Sequence, residues 1–121
     1  MATFRYLVDD VDAALAFYQA LGFELSDRWG PPFAIVRRED VSLWLSGPGS
    51  SARKPLPAGD APRPGGWNRL VLEVEDLDAT ITALERQGVH WRSPPVSGPG
   101  GTQVLLDDPS GNPVELFQPR D

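Results

Sequence analysis

The sequence predicts an α+β fold built from two tandem βαβββ modules. Two observations predict it. The segment VDDVDAALAFYQALGF, beginning at Val8, returns without a gap as VEDLDATITALERQGV, beginning at Val74, at a constant offset of 66 (Val8 to Val74, Gly22 to Gly88). In each copy a strand-like run precedes the segment and further strand-like runs follow it. A unit this long, present twice, is a structural module rather than a solenoid repeat, and two such modules make a pseudo-symmetric domain with a ligand site expected between its halves.

In the first module Thr3 to Val8 is aromatic and β-branched, which reads as a strand. Asp10 or Asp12 then caps a helix by accepting from free backbone amides of its first turn. Val11, Leu15 and Tyr18 recur at helical spacing as a buried face, and Gly22 suits the left-handed stop. Phe23 to Ser26, Phe33 to Arg37 and Val41 to Ser46 read as strands, separated by Trp29-Gly-Pro-Pro and Arg38-Glu39-Asp40 as turns.

The second module repeats the order. Asn68 to Val74 is a strand, and Asp76 to Gln87 a helix with Leu77, Ile81 and Leu84 on one face and Gly88 as its stop. Val89 to Arg92 begins the next strand, and Gln103 to Leu106 and Pro113 to Gln118 are strands, with Ser97-Gly-Pro-Gly-Gly and the run DDPSGN as turns. The chain thus reads as one domain, 1–121, with modules at 1–46 and 67–119. Five of the 13 prolines fall in the segment 47–66 that joins them. That composition marks a linker, either a simple tether or a flap over a site or a strap to a second subunit.

Composition narrows the function. With no cysteine, disulfides and thiolate chemistry are excluded. A net charge of −6 repels phosphate backbones and anionic lipid, so neither nucleic acid nor membrane is an expected partner. No leader-like start and no apolar run of about 20 residues is present, so a cytoplasmic protein is expected. Ser97 to Gly101 lacks the strand-to-helix setting of a phosphate loop. A single histidine, His90, leaves no Ser-His-Asp triad.

Three blocks carry a family likeness: VDDVDAALAFYQALGF, the VEDLD that opens the second copy, and DPSGNPVELFQP from Asp108 to Pro119. Together they resemble the glyoxalase/bleomycin resistance/dioxygenase group, the vicinal oxygen chelate superfamily. The resemblance implies two modules whose curved mixed sheets enclose a concave cavity, and a homodimer. It also implies a divalent metal held by four side chains, two per module. Those positions fall here on Thr3, Trp44, Arg69 and Glu115. Trp offers no lone pair and Arg opposes a cation, so of this set only Glu115 suits a metal. The expectation is a protein without metal or other cofactor.

Strand alternation puts Thr3, Arg5 and Leu7 toward the cavity, with Ser42, Trp44 and Ser46, then Arg69, Val71 and Glu73, then Glu115 and Phe117. Phe33 and its rough twin Gln103 open the modules' third strands. The candidate ligand-binding set is therefore Thr3, Arg5, Phe33, Trp44, Trp67, Arg69, Gln103, Glu115 and Phe117, aromatic walls with a few charges. Trp44 would stack on a planar ligand. Arg69 would bind a ligand carbonyl or carboxylate, or simply pair with Glu115. Trp29 is left between a cavity rim and a dimer contact. The resemblance to metal-free, drug-sequestering members implies a binding protein for an aromatic natural product or antibiotic. The alternative is a glyoxalase-type lyase or isomerase, or a dioxygenase, using Glu115 as base or residual ligand.

Overall fold

Each copy of the repeat starts its helix at the same aspartate. Asp10 and Asp76 both stand in extended backbone, and their carboxylates accept from Ala13 N and Ala79 N. This satisfies one of the amides that a helix leaves unpaired at its start. In the computed structural model, which describes residues 1–120, the chain divides into two compact units, Met1–Gly65 and Gly66–Asp121.

The first unit contains β1 (Ala2–Leu7), α1 (Val11–Ala20), β2 (Glu24–Trp29), β3 (Phe33–Arg38) and β4 (Val41–Ser46). The sheet order is β1-β4-β3-β2, with β1 parallel to β4 and the other pairs antiparallel. Val11, Ala14, Leu15, Phe17 and Tyr18 form the buried face of α1. They meet Ala34, Val36, Leu43 and Leu45, which alternate along β3 and β4 and are fully buried. Tyr18 sits edge-on to Tyr6, Phe17 and Phe23 at centroid distances of 6.3, 5.0 and 5.5 Å. The helix stops as expected at Gly22, whose φ is +92°. Gly22 N donates to Gln19 O and Phe23 N to Tyr18 O, the paired bonds of a Schellman end. The Phe23–Tyr18 ring contact is the apolar clasp that accompanies it.

The segment after β4 is not a bare tether. It contains a short 3-10 turn, Ser51–Arg53, and Arg53 fastens it to the unit by donating to Val8 O and to Pro62 O.

The second unit contains β5 (Leu70–Glu73), α2 (Leu77–Glu85), β6 (His90–Trp91), β7 (Val96–Gly98), β8 (Gly101–Asp107) and β9 (Pro113–Pro119). The order is β5-β9-β8-β6, with β7 also pairing with β8. The module thus has one strand more than the sequence suggested. Pro94 and Pro95 have no amide to give the ladder, so they split the expected single strand into β6 and β7. Across the break, Ser93 Oγ accepts from Leu105 N in place of a backbone carbonyl. Ser97, Gly98 and Gly101 are strand residues here, and the turn narrows to Pro99 and Gly100. α2 ends two residues before Gln87. Leu77 and Leu84 are buried, but Ile81 is only half-buried and lines a groove beside Trp91 and Val104. Gln118 Oε1 accepts from Leu77 N at 2.7 Å, tying the start of α2 to β9.

The α+β class is thus present as one helix on one mixed sheet in each unit. Among the described residues no helix is long and apolar enough to cross a membrane.

Candidate functional site

In the first unit the candidate residues lie on the sheet face opposite α1. Alternation sends Leu43 and Leu45 to the helix and Trp44 and Ser46 the other way. The register places Arg5 directly beside Trp44, and Phe33 beside Ser46. The Arg5 guanidinium lies over the Trp44 ring at 5.0 Å, and its Nη1 donates to Ser46 Oγ at 3.0 Å. Phe33 meets Trp44 edge-on at 5.9 Å. Trp29 stacks on Phe33 at 5.3 Å with the planes 10° apart. These rings form a continuous row, Trp29–Phe33–Trp44, ending at a cation. Thr3 stands opposite Ser42 on the same face and is exposed.

An open pocket of about 320 Å³ lies at the Trp29 end, lined by Arg5, Trp29, Pro32, Phe33, Ser50 and Ser51. Trp29, which sequence alone allows as cavity rim or dimer contact, lines this pocket, and so do Ser50 and Ser51 of the linker. A signal for Trp29 was present. Trp29 and Phe33 flank Gly30-Pro31-Pro32, so a hairpin there makes them cross-strand partners, as the register shows.

In the second unit Arg69 lies just before β5 rather than within it. Its Nε and Nη2 both donate to Glu115 Oε1, at 3.1 and 2.9 Å. The Glu115 side chain is 10% exposed. Arg69 Nη1 also donates to Trp67 O. Trp67 itself is 71% exposed. The Arg92 guanidinium lies over its ring at 4.6 Å. Arg92 is a clamp that the sequence reading missed. It is bound to Asp107 through Nε and to Gly66 O and Gly111 O through its other nitrogens. Gln103 and Phe117 are register partners, both half-buried. His90 is exposed and pairs with Asp107 Oδ2 at 2.8 Å.

These donors do not fit the divalent metal that the family resemblance implies. The one carboxylate in the set, Glu115, spends Oε1 on two guanidinium bonds, and the neighbouring cation opposes a metal. Trp44 presents a ring already faced by Arg5. Among the described residues no three His, Cys, Asp or Glu side chains gather where one ion could be held.

Comparison with known proteins agrees with the sequence likeness. The profile of the Glyoxalase/Bleomycin resistance protein/Dioxygenase superfamily matches residues 1–116. No curated protein matches significantly. Among solved structures, TnmS3, an antibiotic binding protein from Streptomyces sp. CB03234, is 31% identical, with 98% of this chain and 93% of that one covered and a TM-score of 0.73. A superfamily member from Sphaerobacter thermophilus is 28% identical, covering 98% and 95%, at a TM-score of 0.76. Lactoylglutathione lyase from Agrobacterium tumefaciens is 25% identical, covering 98% and 92%, at 0.73. With the repeat, the α+β architecture and the matched profile in agreement, the chain belongs to the Glyoxalase/Bleomycin resistance protein/Dioxygenase superfamily.

Proposed function

We propose that this protein binds an aromatic small molecule without a metal or other cofactor, sequestering it rather than converting it, as an antibiotic resistance protein of the family would. The row Trp29–Phe33–Trp44 carries the reading. Trp29 is 60% exposed, and a large ring left in water is most simply explained by a partner that covers it. The 31% identity with an antibiotic binding protein supports the reading. Thr3, Arg5, Phe33 and Trp44 are the contacts assigned in the first unit. Trp67, Arg69, Gln103, Glu115 and Phe117 are those assigned in the second. In this reading the protein works in the cytoplasm as a homodimer.

Titration with planar aromatic antibiotics, followed by tryptophan fluorescence and calorimetry, tests it. Saturable binding that weakens about tenfold or more in Trp29→Ala and Trp44→Ala is the expected outcome. Absence of binding across the panel at about 500 μM would sink it.

A second reading, catalysis of lyase or isomerase type, rests on Glu115, a carboxylate only 8% exposed, and on the 25% identity with lactoylglutathione lyase. Metal analysis separates the two. Stoichiometric Fe, Mn, Ni or Zn that disappears in Glu115→Ala would replace the binding proposal with the catalytic one.

A further inference from the structure

The row of rings in the first unit ends in a cation with no anion beside it. Arg5 donates one hydrogen bond, to Ser46 Oγ, and rests on Trp44. Among the described residues Arg5, like Arg37, Arg63, Arg86 and Arg120, forms no salt bridge, whereas Arg28, Arg38, Arg53, Arg69 and Arg92 each hold an aspartate or glutamate. The chain has 17 acidic residues to 11 basic ones, so carboxylates for pairing are plentiful. What sets Arg5 apart from the other unpaired arginines is its place: it rests on Trp44 and lines a pocket with Trp29 and Phe33, so the donors it does not give to Ser46 are open to a ligand there. A guanidinium has five N–H donors in a rigid fork that matches a carboxylate.

The same pocket supplies both halves of a recognition element. Trp29 and Phe33 offer flat apolar surface, and Arg5 offers the charge. Ser50 and Ser51 add hydroxyls at the lining, and Pro32 closes the apolar side. A volume of about 320 Å³ lies at the small end of ligand sites, the size of a compact fused-ring system. Resting on the binding function proposed above, we propose that the ligand of this site is a planar aromatic acid. Its rings lie against Trp29 and Phe33, and its carboxylate is held by Arg5.

Electrostatics decides between ligand charges. A carboxylate gains a charge-assisted hydrogen bond that strengthens as the rings exclude water. A neutral analogue covers the guanidinium without pairing its charge, which costs solvation. A cationic analogue is repelled at close range, although the protein's net charge of −6 attracts it from afar. Net charge alone therefore predicts a preference for cations, and Arg5 predicts the reverse.

The test is calorimetric titration with three anthraquinones that differ at one position, a carboxylate, a carboxamide and an aminomethyl group. The wild-type protein should bind the carboxylate about tenfold more tightly than the carboxamide, with the aminomethyl compound weakest. Arg5→Met should bring carboxylate and carboxamide to equal affinity, and Arg5→Lys should restore part of the gap. Arg5 is exposed, so these variants should keep the fold, which circular dichroism checks. Equal binding of carboxylate and carboxamide by the wild type, tightest binding of the aminomethyl compound, or an undiminished preference in Arg5→Met would each overturn the acid proposal. Each would leave the aromatic binding function standing. No binding of any of the three at about 500 μM would overturn both.

Discussion

Glu115 and Arg69 show how much a single pair can decide. Glu115 is nearly buried, and its Oε1 is met by two guanidinium nitrogens. Removing the cation strands a carboxylate in an apolar setting, which costs more than the pair contributes when intact. Arg69→Met should therefore lower stability by about 2 kcal/mol, and Glu115→Gln, which keeps an acceptor, by about 1 kcal/mol. Urea unfolding of both variants checks the order, and an Arg69→Met midpoint equal to wild type would show the pair to be energetically idle. The residue types here were legible in the sequence, because Arg69 and Glu115 fall at repeat positions that can be compared with their twins. Their geometry was not. Strand alternation sorts faces, but it does not say whether a guanidinium reaches the carboxylate or points to a ligand. For the same reason Arg92 went unseen. Two of its four partners, Gly66 O and Gly111 O, are backbone atoms, which leave no trace in side-chain chemistry, and the other two, Asp107 and Trp67, lie 15 and 25 residues away in sequence.

At the level of elements the duplication makes its own control. Asp10 and Asp76 cap their helices through the same atom pattern, each accepting from the amide three residues on. Asp10→Ala and Asp76→Ala should each cost about 1 kcal/mol. Thermal melts would show two similar shifts, and a large cost at one aspartate with none at its twin would contradict the shared role. The hairpin of β7 and β8 offers a harsher test. A Cβ on Gly101 would stand 2.1 Å from Gln118 O and 3.0 Å from Phe117 Cζ. β9 would have to move to admit it. Gly101→Ala should thus destabilise by about 2–3 kcal/mol, whereas Gly98→Ala, with nothing within 4 Å of its Cβ, should change little. Helix starts and stops were legible because capping is local chemistry written in one or two residues. The break between β6 and β7 was less so. Pro94 and Pro95 signal it, but their effect depends on which neighbour the missing amides would have faced. The buried face of α2 was overestimated at Ile81, since periodicity gives a helix a side but not the depth to which that side is covered.

Over the whole molecule the edges of the sheets matter most. β1 ends the order β1-β4-β3-β2, so among the described residues of this sheet one side of its backbone has no hydrogen-bonded strand. Ala2 to Arg5 are all exposed, with Phe4 at 42% and Met1 before it at 76%. An edge strand that is long, apolar and free of proline invites another chain, and proteins normally blunt such edges with charge or cover them. Arg5 is the only charge on β1, and it is turned to Trp44. Covering by a second copy of this chain, in keeping with the proposed homodimer, answers the exposed backbone and the exposed Phe4 and Met1. Sedimentation equilibrium at about 50 μM should then return about 26 kDa, twice the 13.2 kDa of one chain. Phe4→Glu places a charge on the strand and should shift the distribution toward 13 kDa while leaving the far-ultraviolet spectrum unchanged. A wild-type mass of one chain across the concentration range would refute the dimer. It would also mean that the edge is tolerated bare, with strand pairing and aggregation as its expected failure on heating.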